Sequence, residues 1–248
     1  MALYALGDLH LGFQVRKPME VFGKVWRYHE RKIEKYVNKI VSPEDTLVLT
    51  GDHSWGRKLE ECREDLEFIE RLPGRKILLR GNHDMFWDAK KTKESETKSS
   101  TGGYFFFKNN FAAYQDYALV GTKGFTFEGP FYLDGRGKYN WMGSQGGRGR
   151  RKKLVSREMT RLRESFCQAK EAGYQKFIMF LHYPPTNILE ETSPFTEIAR
   201  EYGVSAVVYS HCHGEQRFAD SIRGEFQGVR YILASGDFLN FHPALILP

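Results

Sequence analysis

Cysteine is scarce in this chain of 248 residues, and its pattern excludes a disulfide framework. The three cysteines, Cys62, Cys167 and Cys212, are odd in number and show no C-x-x-C spacing. Disulfide-dependent proteins carry even numbers of cysteines, and proteins of a reducing compartment carry few or none in bridges. The cysteine count therefore favours a cytoplasmic protein.

Long apolar runs are also missing. The longest run has six residues, 1–6, whereas a helix that spans a membrane needs about 20. Neither a basic segment nor a small-residue cleavage site accompanies this run, so a secretory signal is not expected. The sequence predicts no membrane span.

Acidic residues are nearly absent from one segment, which carries the net charge of the whole chain. The chain has 37 basic and 31 acidic side chains, a formal charge of +6. Residues 130–153 hold seven basic residues and one acid, Asp134, so the rest of the chain is neutral. We predict a basic, glycine-rich insertion at about 129–153. Three interpretations stay open for it: a lid that attracts anionic substrate, a nucleic-acid contact, or a solvated surface loop.

Short apolar runs alternate with segments of helical period, which is typical of an α/β protein. The runs predict strands at 2–6, 47–50, 76–80, 104–107, 111–115, 117–121, 177–181, 204–209, 231–234 and 238–241. The three runs between 104 and 121 are predicted to form a meander. Apolar spacings of three and four predict helices at 21–40, 59–69, 155–169 and 194–202. A polar stretch at about 88–103 is predicted to be a loop. Since no domain-sized linker is visible, we expect a single domain over 1–248.

Polar side chains follow five of these predicted strands where each one ends. Ligands of open α/β sheets bind at the carboxyl ends of the strands. D-x-H and H-x-H place both side chains on the same side of an extended segment, as a shared metal requires. Seven oxygen and nitrogen donors suit two metals about 3.5–4 Å apart with one bridging carboxylate. The predicted ligands are Asp8, His10, Asp52, Asn82, His182, His211 and His213.

The order of these motifs resembles the calcineurin-like metallophosphoesterase superfamily. The motifs are D-x-H, G-D, G-N-H-D, a lone histidine behind a strand and H-x-H, and they run from Asp8 to His213, most of the chain. Each motif alone is weak, whereas all five in order are specific. The resemblance implies a four-layer α/β/β/α sandwich and a two-metal site that hydrolyses phosphate esters.

The resemblance also implies roles for individual residues. Asp52 would bridge the two metals, and a hydroxide activated by both would attack phosphorus. His83 matches the catalytic histidine, which protonates the leaving oxygen or stabilises the transition state, and Asp84 would orient His83. The first metal would be held by Asp8, His10, Asp52 and His213, and the second by Asp52, Asn82, His182 and His211.

The sequence departs from the usual pattern of the superfamily in three places. Ser210 stands where G-H-x-H would have glycine, and His53 stands where an apolar residue is more usual. His53 is interpreted either as a side chain behind the metal ligands or as an ordinary loop residue. The Ser54-Trp55 pair after His53 replaces the arginine motif of protein serine/threonine phosphatases. The chain therefore looks more like uncharacterised bacterial phosphohydrolases of the superfamily.

We interpret the chain as a dinuclear metal-dependent phosphohydrolase, either phosphatase or phosphodiesterase, that acts on a phosphate-containing substrate. Its cofactors would be two divalent or trivalent ions of Mn, Fe, Zn, Co or Ni. Candidate substrate contacts are Lys123, Arg148 and Arg150. One alternative is a nuclease or nucleotide phosphodiesterase that uses the basic insertion. Another is a non-catalytic phosphate- or nucleic-acid-binding protein. Such a protein would be expected to lack one of the metal-ligating residues.

Overall fold

The structure is a computed structural model, which describes residues 1–88, 104–125, 148–186, 189 and 192–248. Most of the predicted polar loop and residues 129–147 of the predicted insertion lie outside this description, as do the side chains of 88 and 148–152. The chain divides into two compact units. Unit 1 comprises Met1–Phe106 and Ala234–Pro248, and unit 2 comprises Phe107–Leu233. Among the described helices, none has the length and apolar character needed to cross a membrane.

Unit 1 contains a five-stranded sheet. Its strands are β1 (Leu3–Leu6), β2 (Thr46–Leu49), β3 (Arg75–Leu78), β4 (Tyr104–Phe106) and β11 (Ala244–Leu247), in the order β11-β1-β2-β3-β4. β1 to β4 run parallel, and β11 is antiparallel to β1. Leu6 pairs with Leu49, and Leu49 pairs with Leu78. The carboxyl ends of β1, β2 and β3 therefore stop in line at one edge.

Two α-helices bury apolar faces in the core of unit 1. Helix α1 (His29–Ile40) contributes Ile33 and Val37, and helix α2 (Arg63–Arg71) contributes Phe68 and Ile69 to one buried cluster. Their i, i+4 and i, i+1 spacings form the stripe that a core-facing helix needs. Shorter 3₁₀ turns lie at Glu20–Phe22, Lys24–Trp26, Leu59–Cys62 and Met85–Asp88.

The single helix predicted over 21–40 is wrong. Two 3₁₀ turns precede α1, and they are separated by Gly23 with a φ of 129°. Tyr28, which directly precedes α1, has a φ of 53° and is left-handed. Both backbone angles interrupt an α-helix, although the apolar spacing continues through them.

Unit 2 contains a six-stranded sheet. Its strands are β5 (Phe111–Tyr114), β6 (Tyr117–Thr122), β7 (Lys176–Leu181), β8 (Ala206–Tyr209), β9 (Gly224–Phe226) and β10 (Val229–Leu233), in the order β5-β6-β7-β8-β10-β9. β6, β7, β8 and β10 are parallel, and the two edge strands are antiparallel to their neighbours. The carboxyl ends of four central strands thus share one edge.

The helices of unit 2 are α3 (Arg148–Glu171), α4 (Pro194–Glu201) and α5 (Glu215–Ala219). Phe166 of α3 is fully buried, meets Phe177 at a centroid distance of 5.2 Å and stacks on Tyr202 at 4.1 Å. Helix α3 begins at Arg148, seven residues before the predicted start. The basic residues 148–153 therefore lie within this helix and not before it. Arg and Lys are good helix formers, which is why the helix continues through residues that carry no apolar stripe.

Two strand predictions need correction. β4 pairs in parallel with β3 in unit 1, whereas a meander with β5 and β6 was expected. β5 and β6 form an antiparallel hairpin. Residues 238–241 form a turn in which Asn240 and Phe241 have positive φ, and the closing strand is β11. The fold class itself is confirmed as mixed α/β, with two multi-stranded sheets flanked by helices.

Candidate metal centre

The loops that follow β1 and β2 lie side by side in unit 1. The backbone N–H of Asp8 donates to Gly51 O at 2.9 Å, and that of His10 donates to Asp52 O at 2.9 Å. Asp8, His10 and Asp52 have φ angles of 56°, 45° and 54°. Left-handed backbone is uncommon outside glycine and concentrates at functional sites, at a cost of about 1–3 kcal/mol per residue. The surrounding hydrogen bonds thus maintain a strained arrangement at all three predicted ligands.

Acidic and imidazole groups are concentrated and buried in this part of unit 1. Asp8, His10 and Asp52 are 0%, 4% and 1% exposed. His10 Nε2 lies 3.8 Å from Asp52 Oδ2, and Asp8 and His10 each offer a ligand atom within 4.8 Å of the other. Buried carboxylates are costly unless a cation or hydrogen-bond donors compensate them. Oxygen and imidazole donors in this arrangement fit a divalent transition metal.

The Asp84 carboxylate links the loops that follow β2 and β3 by hydrogen bonds. Its Oδ2 accepts from the N–H groups of Asp52 at 2.9 Å and Gly81 at 2.7 Å. Its Oδ1 accepts from the N–H groups of His53 at 2.8 Å and Ser54 at 3.4 Å. The expectation that Asp84 orients the His83 ring is not supported, because the buried carboxylate is directed at these four amides. Asp84 instead fixes the backbone on both sides of Asp52.

Gly81 is needed for space at this crossing of loops. A Cβ at position 81 would lie 2.1 Å from Asp52 Oδ1 and 2.2 Å from Asp52 N. Both contacts are far inside van der Waals distance, and Asp52 is held in place by Asp84. The glycine of G-N-H-D therefore allows the third loop to approach Asp52 closely.

His83 is the exposed member of the unit 1 group. Its side chain is 41% exposed, and its Nε2 lies 4.0 Å from Asp52 Oδ2. Its backbone N–H donates to Asp52 Oδ1 at 2.8 Å. The half-buried Asn82 precedes it on the same loop. An imidazole that is fixed by its backbone and open to solvent is well placed to exchange a proton with a bound substrate.

His53 is a structural histidine. It is fully buried, and its Nε2 lies 2.9 Å from Leu79 O. Burial lowers the pKa of this imidazole, and the nearby Asp84 opposes the shift. The ring is therefore neutral and donates to a carbonyl of the loop after β3. This geometry favours the interpretation that His53 supports the ligands from behind.

Two histidines of unit 2 approach each other at the carboxyl ends of β7 and β8. His182 is fully buried, and its Nε2 lies 3.2 Å from His211 Nδ1. Two imidazole ligands of one tetrahedral metal, with bonds of about 2.0–2.1 Å, place their nitrogens roughly 3.3 Å apart. His211 has a φ of 73°, and His213 follows two residues later in the same loop. The pair therefore fits a shared cation.

Ser210 contacts the far side of the His182 ring. Its Oγ lies 3.3 Å from His182 Nδ1, and both side chains are buried. An Nδ1–H that donates to Ser210 leaves Nε2 as a lone-pair donor directed toward His211. Hydroxyl and carbonyl partners of this kind fix the tautomer of metal-binding histidines. The departure from G-H-x-H thus adds a hydroxyl that can accept a hydrogen bond from His182 Nδ1.

We expect Ser210→Ala to weaken metal binding by about 10–100-fold, the usual cost of losing a hydrogen-bond partner behind a ligand. Metal affinity is measured by competition with a chelator of known affinity. Ser221→Ala is the control, since that hydroxyl donates to the backbone oxygen of Arg217 rather than to an imidazole. Equal affinity of Ser210→Ala and the unmodified protein would show that Ser210 has no part in ligand orientation.

Lys123 supports His182 through its backbone. Its carbonyl accepts from the N–H groups of His182 at 3.2 Å and Tyr183 at 3.0 Å. Its Nζ lies 6.0 Å from the ring centroids of Phe125 and Tyr183. The loop is anchored from behind by Thr122, whose hydroxyl donates to the buried Glu158 of α3 at 2.5 Å. Substrate contact by Lys123 remains a prediction.

The other predicted substrate contacts, Arg148 and Arg150, lie in the first turn of α3, and their side chains are outside the described part of the chain. Two contributions were missed by sequence reasoning: the hydrogen bonds of Asp84 to backbone amides and the contact of Ser210 with His182. Ser210 had a signal, its departure from the motif. The Asp84 contacts depend on loops that meet only in three dimensions.

Three solved structures are similar over nearly the whole chain. The protein of unknown function AQ665 from Aquifex aeolicus is 18% identical, with 98% of this chain and 95% of that chain covered and a TM-score of 0.52. Phosphopantetheinyl hydrolase (PptH) from Mycobacterium tuberculosis is 14% identical, with 100% and 96% covered and a TM-score of 0.55. TT1561 of Thermus thermophilus is 10% identical, with 99% and 97% covered and a TM-score of 0.53. At these identities the likeness shows a shared fold. No curated protein matches the chain.

One family model matches residues of both units. The model for calcineurin-like phosphoesterases matches residues 1–215. This range contains the ligand candidates of unit 1, those of unit 2 and His83 between them in sequence. Members of this family are metal-dependent hydrolases of phosphoesters. The chain belongs to the calcineurin-like phosphoesterase family.

Proposed function

We propose that this protein is a dinuclear metal-dependent phosphohydrolase. The observation that carries the proposal is the placement of two donor sets, one in each unit, behind parallel strands and inside the residues that the family model matches. Asp52 would be shared by both ions. The proposed ligands are Asp8, His10, Asp52 and His213 for one ion, and Asp52, Asn82, His182 and His211 for the other.

Bound metal ions in such a site would neutralise phosphoryl oxygens and lower the pKa of a water toward 7. The residues of this chain supply the rest. Asp84 and Gly81 hold the Asp52 and His83 loops together. Ser210 keeps His182 in the tautomer that binds metal. His83, the most exposed of these groups, donates a proton to the leaving oxygen.

The proposal is tested by metal content and chelation. We expect elemental analysis to find two transition ions per chain, and we expect a chelator to abolish hydrolysis of phosphoesters. Re-addition of Mn, Fe, Zn, Co or Ni in separate assays should restore activity and identify the preferred ion. One ion or none per active chain, or activity that survives removal of all metal, would contradict the dinuclear mechanism.

A panel of substrates separates phosphatase from phosphodiesterase. It contains a monoester, a diester, a pyrophosphate compound and a single-stranded polynucleotide, each with phosphate and organic product measured separately. A monoesterase releases phosphate from the monoester alone. Cleavage of the polynucleotide with the same metal dependence would assign the nuclease alternative instead.

We propose a cytoplasmic location as well. All three cysteines are free thiols, with Cys62 and Cys212 buried and Cys167 exposed. Burial raises the pKa of the Cys62 thiol to about 12, so that it stays protonated and unreactive. An exposed thiol such as Cys167 persists in a reducing compartment. Fractionation of cells that express the tagged chain tests this location.

A further inference from the structure

Trp55 lies against two histidines of the proposed site, all within unit 1. Its ring stacks on His10 with a centroid distance of 4.8 Å and an interplanar angle of 21°. Its centroid is also 4.3 Å from that of His83, at 56°. The side chain is half-buried. The indole therefore borders the exposed imidazole that is proposed to face the leaving group.

The indole is held firmly in this position. The backbone N–H of Trp55 donates to Leu11 O at 2.9 Å, and the indole N–H lies 3.1 Å from Met19 Sδ. Both partners belong to the loop after β1 and the turn that follows it. Because backbone and ring are both anchored, Trp55 is a fixed surface beside His83.

A lysine rests over this indole. Lys17 Nζ lies 3.1 Å from the centroid of the Trp55 ring. The centroid of the Trp55 ring is in turn 4.3 Å from that of His83. The distance from the Lys17 ammonium to the His83 ring centre therefore cannot exceed the sum of these two distances. Lys17 is exposed, and it makes no ion pair with the described part of the chain. An aromatic face attracts the charge of an ammonium but leaves its N–H donors able to bind an anion.

The loop that carries Lys17 is tied to α2. The N–H of Phe13 donates to the buried carboxylate of Asp65 at 3.0 Å, and the N–H of Glu64 donates to Gln14 Oε1 at 3.0 Å. Pro18 follows Lys17 and limits the backbone further. The ammonium is therefore presented from a loop that is anchored to α2.

We propose that Lys17, placed over Trp55, binds a second negative charge on the leaving half of the substrate. This inference rests on the proposed function, in which His83 protonates the leaving oxygen. A leaving group beside His83 meets an apolar indole and one ammonium. The chemical class that matches is a phosphoanhydride or phosphoester whose leaving group carries another phosphate or carboxylate. An ester of a neutral alcohol would leave Lys17 without a partner.

The test compares leaving groups with and without a charge. Phenyl phosphate, 4-carboxyphenyl phosphate and inorganic pyrophosphate are assayed with the metal-loaded protein and with Lys17→Met, which keeps the length of the side chain. We expect Lys17→Met to raise KM about tenfold for the two substrates whose leaving group is charged, the scale of a lost charge-assisted hydrogen bond. KM for phenyl phosphate should stay within about twofold, and kcat should be unchanged for all three.

Controls separate this site from general charge effects. Lys39→Met removes an exposed lysine of α1 and should leave every KM unchanged. Lys17→Arg should retain the preference for charged leaving groups. In the unmodified protein, rising salt should raise KM more for the two substrates with charged leaving groups than for phenyl phosphate, and Lys17→Met should remove that difference. Equal KM changes for substrates with charged and with uncharged leaving groups, or no change for either, would overturn the proposal.

Binding gives a readout that does not require turnover. Isothermal titration with pyrophosphate and orthophosphate should show a preference for pyrophosphate that Lys17→Met reduces about tenfold. If neither esters nor pyrophosphate are hydrolysed but this Lys17-dependent preference is found, the proposed function fails and the subsite stands. A preference that is absent, or that survives Lys17→Met, would refute the subsite whether or not the protein hydrolyses esters.

Discussion

Replacement of His83 by alanine is expected to lower kcat by about 10²–10⁴, the usual contribution of a positioned general acid. The imidazole is 41% exposed, and its backbone N–H is bound by Asp52 Oδ1 at 2.8 Å. Alanine keeps that backbone contact, so the loop and the metal content should be retained. The loss should be largest for poor leaving groups such as alkyl phosphates, because those need the proton most.

The matched control is His242→Ala, which removes a half-buried histidine of unit 1 that stacks on Tyr36 at 3.6 Å. It should leave kcat unchanged. Metal content is measured on both variants by elemental analysis, and the leaving-group dependence of kcat is compared. A His83→Ala protein with full activity on an alkyl phosphate would show that His83 does not protonate the leaving group.

Replacement of Asp52 by alanine is expected to remove metal and activity together. Asp52 is 1% exposed, its carboxylate lies beside His10, and its backbone N–H is held by Asp84. Since the proposed bridge serves both ions, the loss of activity should exceed that of His83→Ala. Asp52→Asn keeps the shape of the side chain and should still lose metal, which distinguishes loss of charge from loss of packing.

Asp65 provides a carboxylate of equal burial that is not a proposed ligand. It accepts hydrogen bonds from the hydroxyl of Ser54 and from the N–H of Phe13, and burial raises its pKa. Asp65→Asn is expected to lower the melting temperature but to keep two metal ions and most of kcat. Retention of both metals in Asp52→Ala would remove Asp52 from the proposed centre.

The sequence predicted the strands that position the candidate ligands because those strands are short, apolar and buried. Thr46–Leu49, Lys176–Leu181 and Ala206–Tyr209 each differ from the predicted run by one or two residues. Polar residues directly after such runs mark the strand ends without any tertiary information. The fold class followed from the same alternation and from the order of the motifs.

Where prediction failed, backbone conformation or tertiary pairing decided the outcome. The apolar spacing over 21–40 is compatible with one helix, but Gly23 and the left-handed Tyr28 divide it. The sheet that an apolar run joins is also not encoded in the run, as β4 shows by pairing with β3.

The candidate site shows the same limit for side chains. Asp84 was expected to act on the adjacent His83, yet its carboxylate binds backbone amides at positions 52, 53 and 54, about thirty residues earlier in the chain. Adjacency in sequence suggested His83 as the partner of Asp84, whereas the loop after β2 supplies the amides that Asp84 actually binds. Residue type was enough to identify the candidate ligand side chains. The hydrogen bonds that hold them in place became visible only in the structure of the loops.

The four amides bound by Asp84 have a further consequence for how the protein acquires its ions. Hydrogen bonds within the polypeptide, together with those from the Asp8 and His10 amides, set the unit 1 donors in place. Zinc fingers, by contrast, remain unfolded until the ion arrives. The apoprotein of this chain is expected to be folded at these loops, so loading costs little conformational entropy. Exchange of one ion for another then requires no refolding, and the ion that occupies the centre reflects what the surroundings supply.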